Sequence, residues 1–158
     1  MKIAIGSDKS GFAVKEALKA YLAESGVEFD DLGTQDLDHV MPYYAVANKV
    51  APLVQQGEYD KAVLICGTGA GMSVVSNKVK GVYAVACEGV YSAKMARAIN
   101  NANILCMGGW IVGPEMAVEM VKTFLSTEWC QDLEDWRKEN MKKFSAQVAA
   151  IEDAIYDK

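Results

Sequence analysis

Short, nearly unbroken apolar runs alternate along the chain with longer segments whose apolar residues recur at helical spacing. That is the pattern of repeated strand–helix units. The runs predict strands at Ile3–Ser7, Glu28–Leu32, Ala62–Cys66, Val82–Cys87 and Asn103–Met107. All but the second read as continuous apolar stretches, as expected when both faces of a parallel sheet are covered. Between them the spacing predicts helices at Gly11–Glu24, Pro42–Gln56, Met72–Lys78, Ser92–Asn101 and Pro114–Leu125. Ser10 is placed to cap the first helix, and Pro42 and Pro114 suit first-turn positions. Pro52 should kink or shorten the second. A last helix from Asp132 to Tyr156 is too long for a simple sheet cover and is expected to reach across a partner subunit.

These elements imply an α/β fold: an open, doubly wound sheet of five parallel strands in three α/β/α layers, followed by a long C-terminal helix. In such sheets ligands bind beyond the carboxyl ends of the strands, near the point where strand order reverses. The site is therefore expected at the ends of strands one, three and four. Those ends carry Ser7-Asp8-Lys9-Ser10, Cys66-Gly67-Thr68-Gly69-Ala70-Gly71, and Cys87-Glu88.

Composition narrows the function. The 158 residues fit one domain and can bury a full core. A net charge of −5 with no basic run argues against nucleic acid, which is held by clustered Lys and Arg. No apolar run is long enough to span a membrane, and the opening one is too soon interrupted by Asp8 to be a signal peptide. Cys66, Cys87, Cys106 and Cys130 are widely spaced, without a CxxC pair and with His39 as the single histidine. This speaks against a zinc site and for reduced thiols in a cytoplasmic protein.

The strongest chemical signal is Cys66-Gly67-Thr68-Gly69-Ala70-Gly71, where a strand ends in a thiol and a glycine-rich loop leads into a helix. Glycines let backbone N–H groups turn toward a ligand, and a helix start favours negative charge there. The spelling is neither the GxxxxGK[ST] phosphate loop nor the GxGxxG dinucleotide signature. Cysteine at a strand end is often only a small apolar residue; the loop beside it tips the reading toward a base or nucleophile. Cys87 and Cys106 read as buried strand residues. Asp8 and Lys9 follow the first strand, where a carboxylate can hold a substrate hydroxyl and an ammonium an anion. His39, in a polar loop, reads as solvated.

The chain resembles the family of ribose-5-phosphate isomerase B and the galactose-6-phosphate isomerase subunits. The likeness rests on Ile3–Asp8, Leu64–Ser73 with Asn77-Lys78, Tyr91-Ser92-Ala93, and Asn100–Gly113. The resemblance implies a flavodoxin-like (Rossmann-like) fold, a homodimer or dimer of dimers with shared sites, and cofactor-free aldose–ketose isomerisation through an enediolate. In the matching positions Cys66 would remove the proton beside the carbonyl and Thr68 would assist at the substrate oxygens. The N–H groups of Gly67, Gly69, Ala70 and Gly71 would stabilise the enediolate, and Asp8 and Asn100 would bind substrate hydroxyls.

The departures are as informative. The family's ring-opening histidine matches Ile99, the Asp-His after the first strand is Asp8-Lys9, and a phosphate-binding arginine matches Trp110. Two more arginines fall on Lys143 and Gln147. The implied base and enediolate cradle persist without ring opener or phosphate clamp. A 4-deoxy-5-keto-hexuronate (4-deoxy-L-threo-5-hexosulose-uronate) meets that condition, because it closes no ordinary sugar ring and ends in a carboxylate that Lys9 or Lys143 could bind. The alternatives are a sugar phosphate (ribose 5-phosphate, a tetrose 4-phosphate or a hexose 6-phosphate) or a non-catalytic subunit that binds a sugar acid.

Overall fold

A computed structural model describes residues 1–157. Strands β1 (Lys2–Ser7), β2 (Glu28–Asp31), β3 (Lys61–Cys66), β4 (Ala84–Ala86) and β5 (Ile104–Gly108) form one sheet in the order β2-β1-β3-β5-β4. Every neighbouring pair is parallel. Helices α1 (Phe12–Glu24), α4 (Val90–Ala98) and α5 (Pro114–Ser126) cover one face, and α2 (Tyr43–Gln55) and α3 (Ala70–Ser76) the other. This is the expected doubly wound, three-layer α/β/α sheet.

Alternation along β3 assigns its side chains to two cores. Val63 and Ile65 pack with Leu18, Met120 and Phe124, while Ala62, Leu64 and Cys66 pack with Val46, Val50 and Met72. Helix α2 turns Val46, Ala47, Val50, Ala51 and Val54 inward at helical spacing. Pro52 does not break this helix, which runs on to Gln55 before ending. No helix among the described residues is long and apolar enough to cross a membrane.

Three local expectations are corrected. Helix α1 starts at Phe12 behind Gly11, with no cap from Ser10; instead the Asp8 carboxylate accepts a bond from the Gly11 N–H at 3.1 Å. The last helix, α6 (Asp135–Tyr156), starts three residues late because Cys130 and Asp132 sit at φ 64° and 56°, which turns the chain first. Strand β4 lies at the sheet edge with β5 between it and β3, so Cys87-Glu88 leaves the sheet two strands away from Cys66. The strand end beside Cys66 belongs instead to β5, and it carries Gly108-Gly109-Trp110.

Helix α6 buries none of its own residues fully. Glu152 accepts from the Gly81 N–H at 3.3 Å and the Tyr83 hydroxyl at 3.0 Å, and Lys80 pairs with Asp153 and Asp157. These contacts tie α6 to the segment that enters β4, while Phe144, Val148, Ile151 and Ile155 stay exposed.

Lys15 is fully buried in α1 and pairs with Asp31 at the end of β2, also donating to the Thr34 carbonyl at 2.6 Å. Lys19 reaches the same carboxylate at 3.1 Å. Burial by itself would raise the Asp31 pKa. Bonds from Lys15, Lys19 and the Gly33 N–H outweigh that and hold it below the ordinary carboxylate value. Removing one partner of a buried pair strands the other charge. Asp31→Ala should therefore cost about 3 kcal/mol in urea unfolding at neutral pH. Because the folded-state pKa is depressed, the stabilisation is complete above the ordinary value of about 4 and fades as pH falls through the folded value. The penalty of the substitution should shrink correspondingly in acid.

Candidate active site at the carboxyl end of β3

The exits of β1, β3 and β5 are drawn together by backbone contacts. The Gly109 N–H donates to the Cys66 carbonyl at 2.7 Å, the Trp110 N–H to the Gly67 carbonyl at 3.1 Å, and the Asp8 N–H to the Ile65 carbonyl at 3.2 Å. A side chain on Gly108 would put its Cβ 2.8 Å from the Gly67 carbonyl oxygen. Gly69 has φ 78° and would meet the Met107 backbone at 2.8 Å, so neither its conformation nor its surroundings admit a side chain.

These contacts leave most of the loop amides without a partner in the chain. The Gly69 N–H points at Cys66 Sγ, at 3.2 Å. The amides of Gly67, Thr68, Ala70 and Gly71 donate to no acceptor among the described residues. A cavity of about 190 Å³ opens over this array. Cys66, Gly67, Thr68 and Gly71 line its floor, Asp8 and Ser10 come from the β1 exit, and Tyr43 and Trp110 wall it. A thiol beside free backbone donors, with a carboxylate across the gap, can take a carbon-bound proton while the donors stabilise the oxyanion formed.

Of the residues singled out from sequence, Asp8, Cys66, Gly67, Thr68 and Gly71 line this cavity, with Gly69 and Ala70 in the same loop. Lys9 is exposed beside it and is not part of its lining. Asn100 is elsewhere. It precedes β5, at the amino end of a parallel sheet whose carboxyl end holds Cys66, and a five-residue strand separates those ends by roughly 16 Å. There Asn100 and Ile99 line a second, mostly apolar cavity of about 370 Å³ beneath Phe144 and Val148 of α6. Lys143 is exposed on α6 and lines neither cavity. His39 is exposed, bonded to Asp36 at 3.0 Å, and lines neither cavity. Ser10, expected at this strand exit but read as a helix cap, and Tyr43, not expected at the site, both line the cavity. Helix periodicity gives no hint that a helix start will lean over a loop distant in sequence, although the Gly108-Gly109 pair after an apolar run signalled a second close approach.

The matches with known proteins agree with this geometry. Residues 3–142 match the Ribose/Galactose Isomerase family model. The chain belongs to that family. Isomerases of this family include the 4-deoxy-4-sulfo-D-erythrose isomerase of Clostridium sp. (strain MSTE9), 51% identical over 158 residues, which are 100% of this chain and 99% of that one. Ribose-5-P isomerase B of Listeria innocua is 41% identical over 82% of this chain and 86% of its own length. The structure of ribose-5-phosphate isomerase B from Clostridium thermocellum superposes with a TM-score of 0.88 at 35% identity, covering 98% of this chain and 99% of that one. The protein is thus a sugar isomerase of the ribose/galactose isomerase family, with the Rossmann-like sheet of its members.

The four thiols differ in setting. Burial raises the Cys87 pKa and pushes Cys106 well above the ordinary thiol range, and only Cys66 faces the cavity. Iodoacetamide should therefore alkylate Cys66 ahead of Cys87 and Cys106, as read by peptide mass mapping over time. Gly69→Ala should cost about 1–3 kcal/mol of stability in thermal unfolding, from its left-handed φ and the Met107 contact.

Proposed function

We propose that the protein interconverts an aldose and a ketose without a cofactor, that Cys66 is the base, and that the substrate is a four-carbon sugar ending in a sulfonate, such as 4-deoxy-4-sulfo-D-erythrose. The observation that carries this reading is the lining of the Cys66 cavity: a thiol and a cradle of amides, with no histidine and no arginine. The sequence similarity to the sulfo-erythrose isomerase, which extends over both full lengths, supports it.

The chemistry follows from the groups present. The Cys66 thiolate takes the proton from C2 of the open-chain aldose, and the C–H electron pair becomes the C1=C2 bond of an enediolate. Charge moves onto O1, facing the amides of the Gly67–Gly71 loop. Thr68 relays the proton from O2 to O1, Cys66 returns its proton to C1, and the carbonyl now lies at C2. Asp8 holds a substrate hydroxyl, and Lys9 balances the charged end. The substrate's missing O4 matters. A tetrose with sulfur on C4 cannot close a furanose ring, so no histidine is needed where Ile99 stands. A sulfonate also carries one negative charge and does not require an arginine fork.

The 4-deoxy-5-keto-hexuronate meets the same two conditions and is the comparator. In parallel assays of both compounds and ribose 5-phosphate, the sulfonate should be turned over with the highest kcat/KM. Highest efficiency on the uronate, or on the phosphate, would replace the four-carbon reading. Cys66→Ala should lower kcat by at least about 10³-fold, within the range for loss of a positioned base and more than loss of binding alone gives, with the folded state intact by circular dichroism.

The position of Asn100 at the opposite sheet end supports a site completed by a second copy of the chain, in a homodimer or dimer of dimers. Asn100 and Lys143 would then serve the partner's Cys66 cavity. Mixing inactive Cys66→Ala with inactive Asn100→Ala protein and letting subunits exchange should restore about a quarter of wild-type activity, since half of random dimers are mixed and each holds one intact site. No recovery after demonstrated exchange would mean that each site takes both residues from a single chain.

A further inference from the structure

The charge of the cavity over Cys66 is unusual for a site expected to hold an anionic sugar. Its one charged wall residue is Asp8, a carboxylate. The remaining height of the wall is aromatic. The Trp110 ring lies so close on Gly67 that a Cβ there would meet it at 2.8 Å, and the Tyr43 ring lies equally close on Gly71. Both rings therefore stand directly on the two glycines that bound the amide array. Both are also substantially exposed, 75% for Trp110 and 41% for Tyr43, so they are not held there by a core that needs them. Packing explains why the glycines must be glycine. It does not explain why the rings are there.

We propose that Tyr43 and Trp110 are specificity-determining residues that admit a substrate ending in a singly charged group and exclude one ending in a phosphate dianion. The inference rests on the isomerase reading of this cavity and adds what its walls select. A phosphate monoester carries close to two charges at neutral pH and three strong acceptor oxygens, which call for charged, preferably bidentate donors. The walls offer an indole N–H, a phenol O–H and the Ser10 hydroxyl, all of them neutral donors. The second charge of a phosphate would enter a cavity whose one charged side chain is the Asp8 carboxylate, and like charges repel. A sulfonate or carboxylate brings one charge, which neutral donors and a single lysine at the rim can satisfy. The pair thus selects on charge and donor demand, while the amide cradle, common to all these substrates, carries the reaction.

The test compares two sugars that differ only at the terminal group, 4-deoxy-4-sulfo-D-erythrose and D-erythrose 4-phosphate, in wild type, Trp110→Arg and Tyr43→Lys. Binding of inorganic phosphate is measured on the same proteins by calorimetry. The wild type should prefer the sulfonate and bind phosphate weakly. A charge-assisted donor in the wall should lower the sulfonate-to-phosphate ratio of kcat/KM at least about tenfold, mainly through KM for the phosphate, and raise phosphate affinity by a similar factor. A wild type that prefers the phosphate overturns the proposal. So do unchanged ratios and unchanged phosphate affinity in both folded variants. If the wild type turns over neither tetrose but Trp110→Arg gains phosphate affinity, the filter stands and the four-carbon reading alone fails.

Discussion

The site depends on one constraint, the approach of three strand exits at distances that leave no room for side chains. Gly108 against the Gly67 carbonyl and Gly69 against the Met107 backbone fix the path of the loop. The Gly109-to-Cys66 and Trp110-to-Gly67 hydrogen bonds lock that path to β5. With the loop backbone committed to these contacts, the amides of Gly67, Thr68, Ala70 and Gly71 keep no acceptor among the described residues, and the Gly69 N–H meets Cys66 Sγ. An oxyanion site is effective when its donors are already oriented before charge develops. Here the orientation is a consequence of how closely β3 and β5 pack.

This also explains how much of the protein could be read from sequence. Apolar runs and helical spacing located all five strands and six helices, because both periodicities are local. Strand order is not local. Nothing in the fourth and fifth apolar runs says that the later one inserts next to β3, so Cys87-Glu88 stood in the expected site where Gly108-Gly109-Trp110 belongs. Asp8, Cys66 and Thr68 were legible because they lie at the ends of adjacent strands in the chain's own motif. Tyr43 was not, since its role comes from a helix start leaning over Gly71. The late start of α6 follows from left-handed backbone at Cys130 and Asp132, residue types that do not advertise that conformation as glycine would.

Substrate reading turns on what the cavity lacks as much as on what it holds. The proposed enediolate cradle is indifferent to the far end of the sugar, so a family can keep it while exchanging its substrates. Discrimination must then come from the walls and from groups brought by other elements. Trp110 stands in the wall of the Cys66 cavity and not in its floor, whereas Ile99 lies with Asn100 at the amino end of the sheet. The proposed two-copy site would draw on the exposed apolar residues of α6 and on Asn100 at the far end of the sheet. The larger apolar cavity beneath α6 belongs to that amino-end surface, and no thiol or free amide array faces it.

The most direct measurement of the central claim is a crystal structure with a sulfonate-terminated hydroxamate, whose planar C–N–O unit mimics the enediolate. The account predicts that its oxygens lie within about 3 Å of the Gly67–Gly71 amides, with Cys66 Sγ facing the atom that stands for C2 and the sulfonate beyond Tyr43 and Trp110. A hydroxamate bound in the α6 cavity, or bound here with its planar unit turned away from Cys66, would contradict it.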